Sequence, residues 1–169
     1  MAAIIEHINR TKQKHVVTIE NPIEFLHADI KASVTQREVG IDTDTFRMGL
    51  RAALRQDPDV ILIGEMRDAE TIDTAMKAAE TGHLVLATMH SPNVAHALER
   101  ITGIFEGSAQ RQVVLQLANS LQGIIAQDLL PSADRTRRVL AYELMMANNA
   151  VRNLIRENQL HFLENTMQT

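Results

Sequence analysis

Three short apolar runs in this chain finish on residues able to do proton or metal chemistry. "HVVTIE" ends on Glu20, "VILIG" passes directly into Glu65, and "HLVLATMH" ends on His90. A carboxylate at the end of a buried strand can order a hydrated Mg²⁺ ion, or orient and deprotonate an attacking water. Arginine supplies positive charge to a transition state that gains negative charge. Arg51 and Arg55 lie one helical turn apart, and Arg67 lies two residues beyond Glu65. Taken singly, each has a plainer reading: a carboxylate after a strand also serves as a helix cap or a solvated turn, and Arg51 with Arg55 also makes a solvated helix face. Three such strand ends in one chain point to a shared crevice, because ligands of open α/β sheets bind outside the carboxyl ends of the strands.

The elements that must position these groups are legible in the pattern of apolar residues. Ile4, Ile5 and Ile8 share a helical face within residues 1–10. His15–Glu20 reads as a strand that Asn21-Pro22 ends, and residues 26–44 read as loop with a short strand. Phe46, Leu50, Ala53 and Leu54 have helical spacing, and Asp57-Pro58 closes that helix. "VILIG" suits a strand buried on both faces. Asp68 is placed to cap the next helix, and Gly82 stands where a glycine would terminate it. Helices are predicted over about 93–102 and 109–129, with "VLAYELMM" a late strand and "NAVRNLIREN" a short helix. Strands alternating with helices predict an α/β fold with a mostly parallel sheet flanked by helices, and one compact domain.

Composition narrows the function classes. Apolar residues make up 45% and charged residues 22%, as in ordinary globular domains. The net charge of −4 argues against a nucleic-acid binder, and "RTRR" (Arg135–Arg138) reads as an exposed turn. Cysteine is absent, so no disulfide framework exists. No 18-residue apolar run predicts an integral membrane segment. The N-terminal residues lack the layout of a signal peptide, so the expected location is cytoplasmic. A phosphate-holding loop of the form Gly-x-x-x-x-Gly-Lys-Ser/Thr is also missing, because none of the seven glycines is followed by lysine.

At the level of longer motifs, the chain resembles the secretion ATPase superfamily, and most closely its type IV pilus retraction ATPases. "VTIENPIEF" resembles that family's Asp box, "LRAALRQDPDVILIGEMRDAETI" its Walker B region, "TGHLVLATMHS" its His box, and "AVRNLIREN" a C-terminal motif associated with retraction rather than assembly. The resemblance covers essentially all 169 residues. It implies a RecA-like P-loop NTPase core, a homohexamer, ATP hydrolysis with Mg²⁺, and force applied to a pilus through an inner-membrane platform protein. The enzyme would be cytoplasmic and peripheral to the inner membrane.

Carried over by motif, Glu65 would be the catalytic acid that polarises the attacking water. Glu20 and Glu24 would be Asp-box acids near metal and water, with Glu20 and Glu65 meeting the metal through water. Arg51 and Arg67 would approach the phosphates. His83 and His90 would belong to the His box, where His90 could sense the γ-phosphate. Ala150, Val151, Arg152, Asn153, Leu154, Ile155, Arg156 and Glu157 would couple nucleotide state to retraction. Asn21 departs from the family, which usually has Asp there; an amide can neither carry charge nor act as a base. The resemblance further implies that residues 1–169 are a single, partial RecA-like C-terminal ATPase domain, truncated at both ends, with an upstream PAS-like domain and Walker A loop absent. Such a chain is expected to hydrolyse ATP weakly or not at all. The alternatives are a non-catalytic RecA-like remnant or adaptor, and a module of a pilus-assembly or type II secretion ATPase.

Overall fold

The computed structural model describes residues 1–167, which divide into two compact units, the first of residues 1–89 and the second from residue 90 onward. In the first, the order is α1 (Ala2–Thr11), β1 (His15–Glu20), β2 (Ser33–Glu38), α2 (Phe46–Ala53), β3 (Val60–Ile63), α3 (Ala69–Glu80) and β4 (Leu84–Ala87). All four strands are parallel, in the order β2-β1-β3-β4. Strand β1 is central, and its Val16, Val17, Thr18 and Ile19 are buried.

Because side chains alternate across a strand, the two faces of this sheet carry different partners. Val17, Ile19, Ile61 and Ile63 pack with Leu50 and Ala53 of α2 and Ala75 and Ala78 of α3. Val16, Val60 and Leu62 pack with Ile5 and Ile8 of α1 on the other face. Helix α1 has no side-chain cap at its start, whereas Thr45 caps α2 and Asp68 caps α3 through the Thr71 N–H at 2.8 Å. Gly82 follows α3 with φ +100°, the left-handed conformation a glycine adopts without cost.

Connectivity creates a switch point. From β1 the chain moves outward to β2, while from β3 it moves outward in the other direction to β4. The carboxyl ends of β1 and β3 are therefore where a crevice opens in a sheet of this kind.

The second unit contains α4 (Val94–Gly103), α5 (Gly107–Ser120), an antiparallel pair β5 (Gly123–Pro131) and β6 (Arg138–Met146), α6 (Asn149–Arg156), a 3₁₀ turn at Leu160–Phe162, and α7 (Leu163–Met167). Here one expectation is corrected. Residues 109–129 are not one helix: the helix stops at Ser120 and residues 123–131 pair with β6. The apolar residues Ile124, Ile125, Leu129 and Leu130 satisfy helical and strand spacing alike, and the partner strand decides between them. Gly123 permits that pairing, since a Cβ there would stand 2.8 Å from the Met145 carbonyl oxygen.

Candidate functional site

The carboxyl ends of β1, β3 and β4 are tied together by hydrogen bonds. The Gly64 N–H donates to the Ile19 carbonyl at 2.7 Å, and the Met66 N–H donates to the Thr88 carbonyl at 3.0 Å. The Thr88 hydroxyl donates to the Gly64 carbonyl. These bonds fix Glu20, Glu65 and Thr88 at one edge of the sheet, at the β1–β3 switch point. Gly64 is what allows the close approach. A Cβ at this position would lie 3.1 Å from the Ile19 carbonyl oxygen and 3.2 Å from the Glu20 Cα, both backbone atoms.

Each acid is held differently. The Glu20 Oε1 accepts from the Thr18 hydroxyl at 2.6 Å and from the Gln36 Nε2 at 3.1 Å. Glu65 is mostly shielded, at 16% side-chain exposure, and its Oε2 lies 2.5 Å from an Arg67 guanidinium nitrogen. That hydrogen bond raises the already high pKa of Arg67, so the arginine stays charged beside the acid. Glu24 is exposed, on the loop between β1 and β2. The loop's Asn21-Pro22 peptide bond is cis.

Among the basic residues, Arg51 on α2 approaches Glu70 of α3 at 3.6 Å, and Arg47 pairs with the same carboxylate. Glu70 thus gathers two arginines from α2 within the first turn of the helix that follows Glu65. Arg55 lies beyond the end of α2 and is exposed. His83 lies elsewhere. It precedes β4, so the whole strand separates it from the carboxyl edge, and its Nδ1 is within 2.9 Å of the Ala78 carbonyl. Glu20 and Glu65 therefore come together, with Arg67 beside Glu65, and His83 does not join them.

His90 opens the second unit, where its carbonyl accepts from Arg100 at 2.8 Å. Residues Ala150–Glu157 form most of α6 and its end. Val151 and Ile155 are buried, while Ala150, Asn153, Arg156 and Glu157 are exposed and Leu154 is half-buried. The Arg152 guanidinium donates to the carbonyls of Ala118 and Asn119, both at 2.7 Å, and of Leu121 at 2.9 Å. Its Nε donates to the Ala147 carbonyl at 3.1 Å. Arg156 adds a bond to the Asn119 side chain at 3.0 Å. These arginines join α6 to the end of α5.

Thr18, Gln36, Arg47, Glu70 and Thr88 escaped sequence reasoning. Their signal was weak: none ends an apolar run, and only Thr18 and Thr88 stand within two residues of one of the motif acids or histidines. Among the described residues no group of three or more His, Asp or Glu side chains forms a metal cage. The strand ends bring the backbones of Glu20 and Gly64-Glu65 side by side at this edge, and carboxylate oxygens are ligands that suit a cation keeping most of its waters.

Comparison with known proteins identifies the family. The family model described as "Type II/IV secretion system protein" matches residues 1–169. The whole chain is 47% identical to a "Twitching motility protein" of Neisseria gonorrhoeae, covering 45% of it. It is 46% identical to the "Type IV pilus retractation ATPase PilT" of Pseudomonas aeruginosa, covering 49% of that relative. A solved structure described as the pilus retraction motor PilT with bound ADP superposes with a TM-score of 0.94 at 53% identity, over 99% of this chain and 48% of that one. The chain thus spans about half the length of the curated relatives it matches.

Proposed function

Since this chain belongs to the type II/IV secretion system protein family, we propose that it is part of the ATPase domain of a type IV pilus retraction motor, coupling ATP hydrolysis to pilus disassembly and twitching motility. The observation that carries this reading is the Gly64-Glu65 turn at the β1–β3 switch point, with Glu20 held beside it. Identity of 46–47% to retraction and twitching proteins along the entire chain supports it.

In this reading residues 1–169 belong to one RecA-like ATPase domain, and the working assembly is a homohexamer on the cytoplasmic side of an inner-membrane platform protein. Among the described residues no helix is long and apolar enough to cross a membrane. Glu65 orients and polarises the attacking water, and its shielding from solvent strengthens that effect. Glu20 and Glu65 are the residues to meet a hydrated Mg²⁺ through water, with Glu24 nearby on its loop. The Mg²⁺–ATP complex, when bound, supplies charge neutralisation of the phosphates. Arg67 stays charged beside Glu65 and is available to a phosphate oxygen. Arg51 serves from outside the Glu20–Glu65 pair, and His90 reports on the γ-phosphate. Residues 150–157 carry the nucleotide state toward retraction, with Arg152 as the bond between α5 and α6.

The 169 residues contain no Gly-Lys pair, so the backbone donors and lysine that grip a triphosphate are not among them. A steady-state phosphate-release assay on the purified 169-residue chain is therefore expected to stay near the buffer blank. Turnover comparable with a complete motor, abolished by Glu65→Gln, would refute that expectation. The motor reading is tested in the bacterium that carries the gene. Disruption should abolish twitching and leave pili extended on the surface. Unchanged motility and piliation would overturn it.

A further inference from the structure

Gln36 sits on β2 opposite Thr18 of β1, on the sheet face that carries Glu20. All of its amide is used. Nε2 donates to the Glu20 Oε1 at 3.1 Å and to the Phe25 carbonyl at 2.9 Å, and Oε1 accepts from the His27 N–H at 2.8 Å. This arrangement defines the amide's orientation, because reversing it would set an oxygen against two acceptors and an NH₂ against a donor. The neighbouring Glu38 accepts from the Ile23 N–H at 3.0 Å. Asn9 of α1, fully buried, donates to the Ala28 carbonyl at 2.8 Å and accepts from the Ile30 N–H at 3.0 Å. The loop is thus pinned at residues 23, 25, 27, 28 and 30, and Glu24 lies between two of these points.

We propose that Gln36 is a positioning residue, which sets the orientation of the Glu20 carboxylate and couples it to the loop carrying Glu24. The proposal rests on the reading of Glu20 and Glu24 as acids of the nucleotide site. Thr18 alone holds Glu20 by one oxygen at one point, about which the carboxylate can still swing. A second donor takes the other lone pair of the same Oε1, which fixes the plane of the carboxylate and leaves Oε2 as the oxygen to face a water or a hydrated cation. The same amide grips the backbone on both sides of Leu26, so movement of the loop and reorientation of Glu20 become one event.

The test uses the 169-residue chain, isotopically labelled, and does not depend on turnover. Three-bond NMR couplings report the χ1 rotamer of Glu20, and hydrogen exchange reports the His27 amide. In the wild type Glu20 should occupy one staggered rotamer. Gln36→Leu should average Glu20 among rotamers and speed His27 exchange by about tenfold, the loss of one acceptor. Gln36→Glu keeps an acceptor for the His27 N–H but has no donor for Glu20. It should retain His27 protection and still release Glu20, which a role confined to pinning the loop would not do. Should the Leu variant fail to fold, Gln36→Met, uncharged and of similar length, takes its place, so that release of Glu20 is read without an added charge beside it. A single Glu20 rotamer in the Glu variant, or averaging already in the wild type, would overturn the proposal. Failure of the motor reading shows separately, as unchanged twitching after gene disruption.

Discussion

Glu65 owes its position to the residue before it. Gly64 lies where β1 and β3 end side by side, and the atoms nearest its missing side chain are the Ile19 carbonyl oxygen and the Glu20 Cα. Neither can rotate away as a side chain would. Gly64→Ala should therefore push β3 off β1, at a cost of about 1–3 kcal/mol. It should also disturb both acids at once. Urea denaturation measures the first effect, and the rotamer couplings of Glu20 measure the second. The ion pair between Glu65 and Arg67 adds little to stability, because the arginine is 70% exposed. Its consequence is local: a permanent positive charge stands beside the acid.

At the scale of elements, the end of α5 is the instructive case. A helix leaves its last carbonyls without partners, and they must find donors elsewhere. Arg152 of α6 supplies three of those donors and a fourth bond to Ala147. Positive charge at a helix C-terminus is favourable in itself, and the planar guanidinium fits several carbonyls at once. Arg152→Ala should cost about 2 kcal/mol, since several carbonyls lose their donor together. Arg152→Lys should recover only part of that, because an ammonium group cannot reproduce the fork. Denaturant titration of both variants checks the order, and full recovery by lysine would contradict it. The motif read from sequence as a coupling element thus has a structural duty in its arginines, while its exposed face includes Ala150, Asn153 and Glu157.

For the whole molecule, pH is the accessible variable. Hydrogen bonding from Arg10, then His27, holds the Glu6 carboxyl below its ordinary pKa, and bonding from Lys14, then the His15 N–H, does the same for Asp59. Ser132 and then Thr136 hold Asp134 at about 2. A carboxyl depressed in the folded state stabilises fully above its unfolded pKa, and that stability is lost as pH falls toward the folded value. The urea midpoint should therefore change little in the neutral range and fall between roughly pH 5 and pH 2. Asp59→Asn should lower the neutral-pH midpoint slightly and flatten the acid fall. All three groups are at the surface, so each effect is modest. A midpoint that rises on acidification would contradict this assignment.

The sequence alone determined the strand that ends on Glu20 and the one that leads into Glu65, the helix caps at Asp68 and Gly82, and the family. Each depends on local spacing or on motifs, and neither needs knowledge of distant partners. Tertiary structure decided the rest, wherever one sequence pattern is compatible with two outcomes. Residues 123–131 satisfied helix and strand equally until β6 lay alongside. His83 belonged to a motif with His90, yet a strand of four residues carries the chain from one sheet edge toward the other between them. Gln36 carried no signal in sequence, because its role exists only once β2 lies in register with β1. Chemistry at the ends of strands is written locally, but which ends share a crevice is set by sheet order, and that follows from packing across the whole sheet.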